Sequence, residues 1–142
     1  MGVFVNSEGK VLVGKRSDTS QEQWQFPQGG INDGETPEQA IIREMQEEVG
    51  TSNFTILSKT ATTISYDFPQ NLNAKIARDY RGQMHYWFLL KFNHELHDGP
   101  NLAIANGEFV EFKWVDIKDI INQIIDWKRE AYIQGLQVLG LL

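Results

Sequence analysis

A chain of 142 residues, 41% hydrophobic, 11% aromatic and 23% charged, has the size and bulk of one globular domain over residues 1–142. The lack of cysteine excludes disulfides and thiolate metal sites; no apolar run is long enough to span a membrane, and Met1-Gly2-Val3-Phe4-Val5 lacks the regions of a signal peptide, so a cytoplasmic protein is expected. A net charge of −6 with a pI near 5.0 disfavours bulk attraction to DNA or other nucleic acid, so a phosphate-rich substrate would need a neutralising agent, usually a divalent cation.

Val3 to Val5 and Lys10 to Gly14 read as the two strands of a hairpin, joined by Asn6-Ser7-Glu8-Gly9. A polar stretch, Ser17 to Gln23, leads through Trp24-Gln25-Phe26-Pro27 into a Gly-rich loop, residues 28–35. The spacing then predicts the best-marked helix of the chain. Thr36 is its N-cap, Pro37 stands at N1, Gln39 completes a capping box and Gly50 stops it, with Ala40, Ile41, Met45 and Val49 turned inward. Phe54 to Phe68 reads as one or two strands and Pro69 to Gly82 as a polar loop. Gln83 to Phe92 reads as a strand whose Trp87-Phe88-Leu89-Leu90 is apolar enough for the centre of a sheet. Gly107 to Val115 reads as a strand in which Val110, Phe112 and Trp114 alternate with Glu111 and Lys113. Asp116 is expected to cap a helix carrying Ile117, Ile120, Ile121, Ile124 and Ile125, and Lys128 to Val138 a second. This order predicts an α+β layered domain with a mixed sheet.

Glu44, Glu47 and Glu48 fall at i, i+3 and i+4 of the predicted helix, on one face about 5–6 Å apart at Cβ. Three like charges there repel, and two lie in the last turn, where the macrodipole disfavours anions. A wet acidic face is the bland reading; a divalent cation, which takes clustered hard oxygens, turns the repulsion into a binding site. The surroundings favour the second. Gly29 is followed after five residues by Glu35, then after seven by Arg43-Glu44-Met45-Gln46-Glu47-Glu48-Val49-Gly50. Over residues 29–51 this resembles the signature of the Nudix hydrolase family, a pattern whose chance occurrence in such a chain is on the order of one in ten million. Thr51 departs from the aliphatic residue preferred there, at a position that packs and does not ligate.

The resemblance implies the Nudix fold, an α+β mixed sheet sandwiched between helices. It further implies that Glu35 pairs with Arg43 and holds the loop against the helix. Glu44, Glu47 and Glu48 would hold one or more magnesium or manganese ions, with a main-chain carbonyl near Gln28 completing the shell. Gly29 and Gly30 would let the backbone pass close to substrate phosphate. Such ions neutralise developing charge and lower the pKa of an attacking water, so the implied chemistry is hydrolysis of a pyrophosphate linkage.

Within the family the chain is most similar to the branch of RNA pyrophosphohydrolases and asymmetric diadenosine tetraphosphate hydrolases. Trp24 to Ile31, Ser65 to Pro69, Tyr80 to Gln83, Trp87 to Leu90, Glu108-Phe109 and Lys113-Trp114-Val115 carry that likeness. It makes Glu108 a further metal ligand or the general base, a role left open among Glu44, Glu47 and Glu108. Tyr66 and Trp127 would stack on a base, and Arg16, Lys128 and Gln83 would contact the substrate; core packing and solvated charge are the bland alternatives. Met84-His85-Tyr86 stands where the branch carries lysines, and the chain begins almost inside its first strand, without the branch's upstream Arg-Pro segment. The implied substrate is a dinucleoside polyphosphate or the 5′-triphosphate end of RNA. A nucleotide-pool enzyme acting on nucleoside triphosphates or ADP-ribose, and a nucleotide-sensing module without catalysis, are the rival readings.

Overall fold

The computed structural model describes residues 1–19, 21–70 and 80–142, and the stretch from 71 to 79 of the expected polar loop lies outside them. Helix α1, Pro37–Glu48, forms as its caps dictate: the Thr36 side chain accepts from Gln39 N–H, and the Gln39 side chain accepts from Thr36 N–H. Gly50 ends it at φ +86°, and its N–H reaches back to the Met45 carbonyl at 3.1 Å. Ala40, Ile41, Met45 and Val49 are all buried, as the spacing predicts.

Strand β1 (Gly2–Phe4) runs parallel to β7 (Phe88–Phe92), with β4 (Phe54–Lys59) antiparallel on the far side of β7. This is the mixed sheet. A second ladder sets β2 (Val11–Arg16) between β3 (Trp24–Gln25) and β8 (Phe109–Val115), and a two-stranded ribbon joins β5 (Ile64–Asp67) to β6 (Gly82–His85). Helices α2 (Ile117–Gln123) and α3 (Asp126–Val138) follow.

Side-chain alternation explains how these layers stack. Val3, Val11, Val13 and Trp87 belong to an apolar cluster that meets Ile120, Tyr132 and Leu136 of α2 and α3. Their neighbours Phe4, Leu12, Phe88 and Leu90 belong to a second cluster, against Ile41, Met45 and Val49 of α1. The sheet layer is thus buried on both faces, α1 on one side and α2 with α3 on the other. Each large side chain so enclosed contributes about 1.5–3 kcal/mol. Phe26 stacks on Tyr132 at 4.9 Å, and Trp87 meets that tyrosine edge-on at 5.3 Å. Gly135 lets α3 seat on the indole, since a Cβ there would come within 2.3 Å of the Trp87 ring.

Several expectations are corrected. The Asn6–Gly9 turn forms, with Asn6 Oδ1 accepting from Glu8 and Lys10 N–H at 3.0 Å, yet the hairpin does not: β1 and β2 share only the Val5–Val11 bridge and part into different ladders. The run from Gln83 to Phe92 is two strands. It breaks at Tyr86-Trp87, where Thr60 intervenes by donating its N–H to the Trp87 carbonyl (2.9 Å) and accepting from Trp87 N–H (3.1 Å). On β8 the buried ends are Phe109 and Val115, while Val110 is 53% exposed, because the register with β2 shifts at Lys15/Arg16. Asp116 stands at the N-cap of α2 without a side-chain capping bond, and α3 starts at Asp126, ahead of the expected Lys128.

Candidate active site

The Gly-rich loop is fixed to α1 by one guanidinium. Arg43 donates from Nε to Glu35 Oε2 (2.8 Å) and from Nη2 to both Glu35 Oε1 (2.9 Å) and the Gly30 carbonyl (2.8 Å). The same hydrogen bonds hold the Glu35 carboxyl below the usual carboxylate range. Nη1 turns to the ligand face, reaching Glu44 Oε1 at 2.7 Å and Glu47 Oε2 at 3.3 Å. A Cβ at Gly29 would lie 1.8 Å from Glu44 Cδ, so any side chain there would displace that carboxylate.

Beyond this clasp opens a cleft whose lining includes Gln28, Gly29, Gly30, Glu44 and Glu48 together with Arg16, Tyr66, Gln83, Glu108, Trp127 and Lys128. Glu48 is 6% exposed, and its Oε2 accepts from Gln28 N–H at 2.8 Å. Burial pushes its carboxyl up to about 8; the Gln28 bond opposes this, while the Glu108 and Glu44 charges add to it. Burial also raises Glu44, against the pull of Arg43. Glu47, 47% exposed on its side chain, leans to Arg43 and is not part of the cleft wall.

The cleft floor is a polar network. Gln83 Oε1 accepts from Tyr66 Oη (2.5 Å) and Gln28 Nε2 (3.2 Å), with His85 Nε2 at 3.1 Å. Burial drives the His85 ring down to about 3, so it is neutral at physiological pH. Gln28 Oε1 is buried without a partner among the described residues. Tyr66 and Trp127 come together but pack on each other, edge to face at 5.4 Å, and Tyr66 is only 6% exposed. They form a wall, in which Trp127 is the half-buried member. Lys128, 3% exposed, donates to Gln25 Oε1 at 3.1 Å and lies 5.2 Å over the Trp127 ring; burial lowers its ammonium to about 8. Arg16 is bound by both oxygens of Asp18. Arg129 turns away to the carbonyls of Ile121 and Ile124. The sequence does not single out Asp18 or Gln25; Gln25 enters the site through Lys128, 103 residues further on, a contact that local spacing does not encode.

The NUDIX domain family matches residues 1–134. The chain belongs to the Nudix family. An RNA pyrophosphohydrolase of Rhodospirillum rubrum is 41% identical over 139 residues, covering 97% of this chain and 83% of that protein. One from Sphingopyxis alaskensis is 40% identical over 143 residues, covering 99% and 90%. Among solved structures, the E. coli dihydroneopterin triphosphate pyrophosphohydrolase aligns at TM-score 0.72 and 25% identity over 94% of this chain and 90% of that one. A C. elegans Ap4A hydrolase aligns at 0.66 and 18% over 99% and 97%, a likeness of fold.

Nudix hydrolases in general need divalent cations. The donors here fit that need: Glu44, Glu48 and Glu108 offer hard carboxylate oxygens to one cleft, and Glu48 is a buried acid with no cationic side chain paired to it among the described residues. As they stand, no three acidic or histidine side chains among the described residues close around one point. Arg43 explains part of this, since it draws Glu44 Oε1 and Glu47 Oε2 to itself.

Proposed function

We propose that this Nudix chain hydrolyses a phosphoanhydride bond at the 5′-triphosphate end of RNA or within a dinucleoside polyphosphate, using magnesium or manganese. The observation that carries the reading is the convergence of Glu44 and Glu48 from α1 with Glu108, the residue before β8, on one cleft that also holds two cations and an aromatic wall. The RNA pyrophosphohydrolases about 40% identical to the chain support the choice of substrate.

Glu44, Glu48 and Glu108, with the carbonyl beside Gln28, are the proposed ligands, and Glu47 joins them if Arg43 releases it. When bound, a divalent ion neutralises phosphate charge and makes an attacking water more acidic. The remaining work falls to side chains. Gly29 and Gly30 leave room for phosphate oxygens to approach the backbone. Arg43 keeps that loop seated, and Arg16 and Lys128 supply positive charge to the same cleft. Glu108, an exposed carboxylate of the cleft, accepts the proton of water as its oxygen attacks phosphorus, and the leaving phosphate departs with the anhydride electron pair. Trp127 offers its open face to a base, a contact tolerant of base identity.

Purified protein with magnesium or manganese is expected to release pyrophosphate, or phosphate stepwise, from triphosphorylated RNA, or to yield AMP and ATP from diadenosine tetraphosphate. Inertness towards both, with rapid cleavage of ADP-ribose or nucleoside triphosphates, would reassign the chain to the nucleotide-pool enzymes.

A further inference from the structure

Glu108 is exposed and, among the described residues, its carboxylate makes no hydrogen bond or ion pair, so its peptide unit is the part of it that the surroundings hold. That unit is held on both sides. Its N–H donates to Asn106 Oδ1 at 3.1 Å. Its carbonyl accepts from Ser17 N–H at 3.0 Å and from Ser17 Oγ at 3.1 Å, the hydroxyl also lying 2.7 Å from the Gly107 carbonyl.

Asn106 is itself tied to the helix that bears the other carboxylates. Its N–H donates to the Glu47 carbonyl at 2.7 Å, and Asn101 N–H does the same for Val49 at 2.8 Å. These are carbonyls that a helix C-terminus leaves without internal partners. One residue therefore joins α1 to Glu108: the backbone of Asn106 caps α1 beside Glu47 and Glu48, and its side-chain amide oxygen accepts from Glu108 N–H. Gly107 between them takes φ +87°, a conformation it holds without strain but does not enforce. Asn suits this place because its side chain accepts from the N–H two residues on. Alanine would keep the cap and lose the grip.

We propose that Asn106 is a positioning residue that sets the Glu108 carboxylate against Glu44 and Glu48. The inference rests on the part given to Glu108 in the proposed function. Displacing a reacting group by about 1 Å is enough to cost up to about a hundredfold in rate.

The test compares wild type, Glu108→Gln, Asn106→Ala and Asn106→Asp on triphosphorylated RNA, together with thermal melts and amide exchange of residues 106–108 without metal or substrate. Asn106→Ala should lose about tenfold in kcat with KM within about twofold. Its Tm should hardly move, since the side chain is exposed. The Glu108 amide should exchange faster. Asn106→Asp, which keeps the acceptor, should restore most of kcat and the slow exchange. Wild-type kcat in Asn106→Ala, or an Asn106→Asp as slow as the alanine variant, overturns the inference while leaving the proposed function intact. Full turnover in Glu108→Gln removes Glu108 from the chemistry and this inference with it, and an inactive wild type overturns both readings.

Discussion

Glu48 shows how a single carboxyl can be poor for the fold and good for the site. Folded, it holds its proton up to about 8, against an ordinary value of 4.5, mainly because it is buried. Between those values the folded chain keeps a proton that the unfolded chain releases, so this group lowers stability as pH rises through that window. In chelator, Glu48→Gln should therefore melt close to wild type near pH 5 and above it near pH 8. Equal differences at the two pH values would show that burial does not shift this acid. The same substitution should remove most turnover, and retained turnover would take Glu48 out of the ligand set. The motif made Glu48, Arg43 and Glu35 legible in the sequence, and the Glu35–Arg43 ion pair forms as the family resemblance implied. It did not reveal that Arg43 also reaches Glu44 and Glu47, because side-chain choice among nearby anions depends on what else the cleft holds. Nor did it show Tyr66 packed against Trp127, since an aromatic residue at a strand position serves a core or a ligand equally well.

At the level of elements, α1 was read from sequence almost to its ends because capping chemistry is local. Gly50 is its sharpest check. Besides its positive φ, a Cβ there would meet the Asn101 carbonyl oxygen at 2.2 Å, a backbone atom that cannot simply swing away. Gly50→Ala should destabilise the protein by about 2 kcal/mol or more, measured by denaturant unfolding, whereas relief of unfolded-state entropy alone would stabilise it by under about 1 kcal/mol. A neutral result would mean that the 101–106 loop does not press on the end of the helix. The strands were less legible. Polar turn residues announced Asn6–Gly9 correctly, but pairing is a tertiary choice, and β1 gains more from the buried Phe88–Leu90 edge than from β2. Likewise nothing within Gln83–Phe92 signals its break; the cause is Thr60, 27 residues before Trp87 in the chain.

For the whole molecule, the apolar run Trp87–Leu90 implied a central strand covered on both faces, and the two clusters that share Trp87, Phe88 and Leu90 between them bear that out. If the acidic cleft takes a divalent ion only when folded, that ion stabilises the native state by about 2.7 kcal/mol at a hundredfold excess over its Kd. Manganese should then raise Tm by several degrees in wild type and far less in a Glu44→Gln, Glu48→Gln double variant. An equal rise in both would place the ion elsewhere. The aromatic pile beneath α3 carries one more consequence. Trp87 is 1% exposed under Gly135, whereas Trp127 borders the cleft beside Lys128. An emission change on adding nucleotide that disappears in Trp127→Phe therefore reports occupancy, and the blue-shifted emission left behind, to which the buried Trp24 contributes with Trp87, reports whether the interior is still closed.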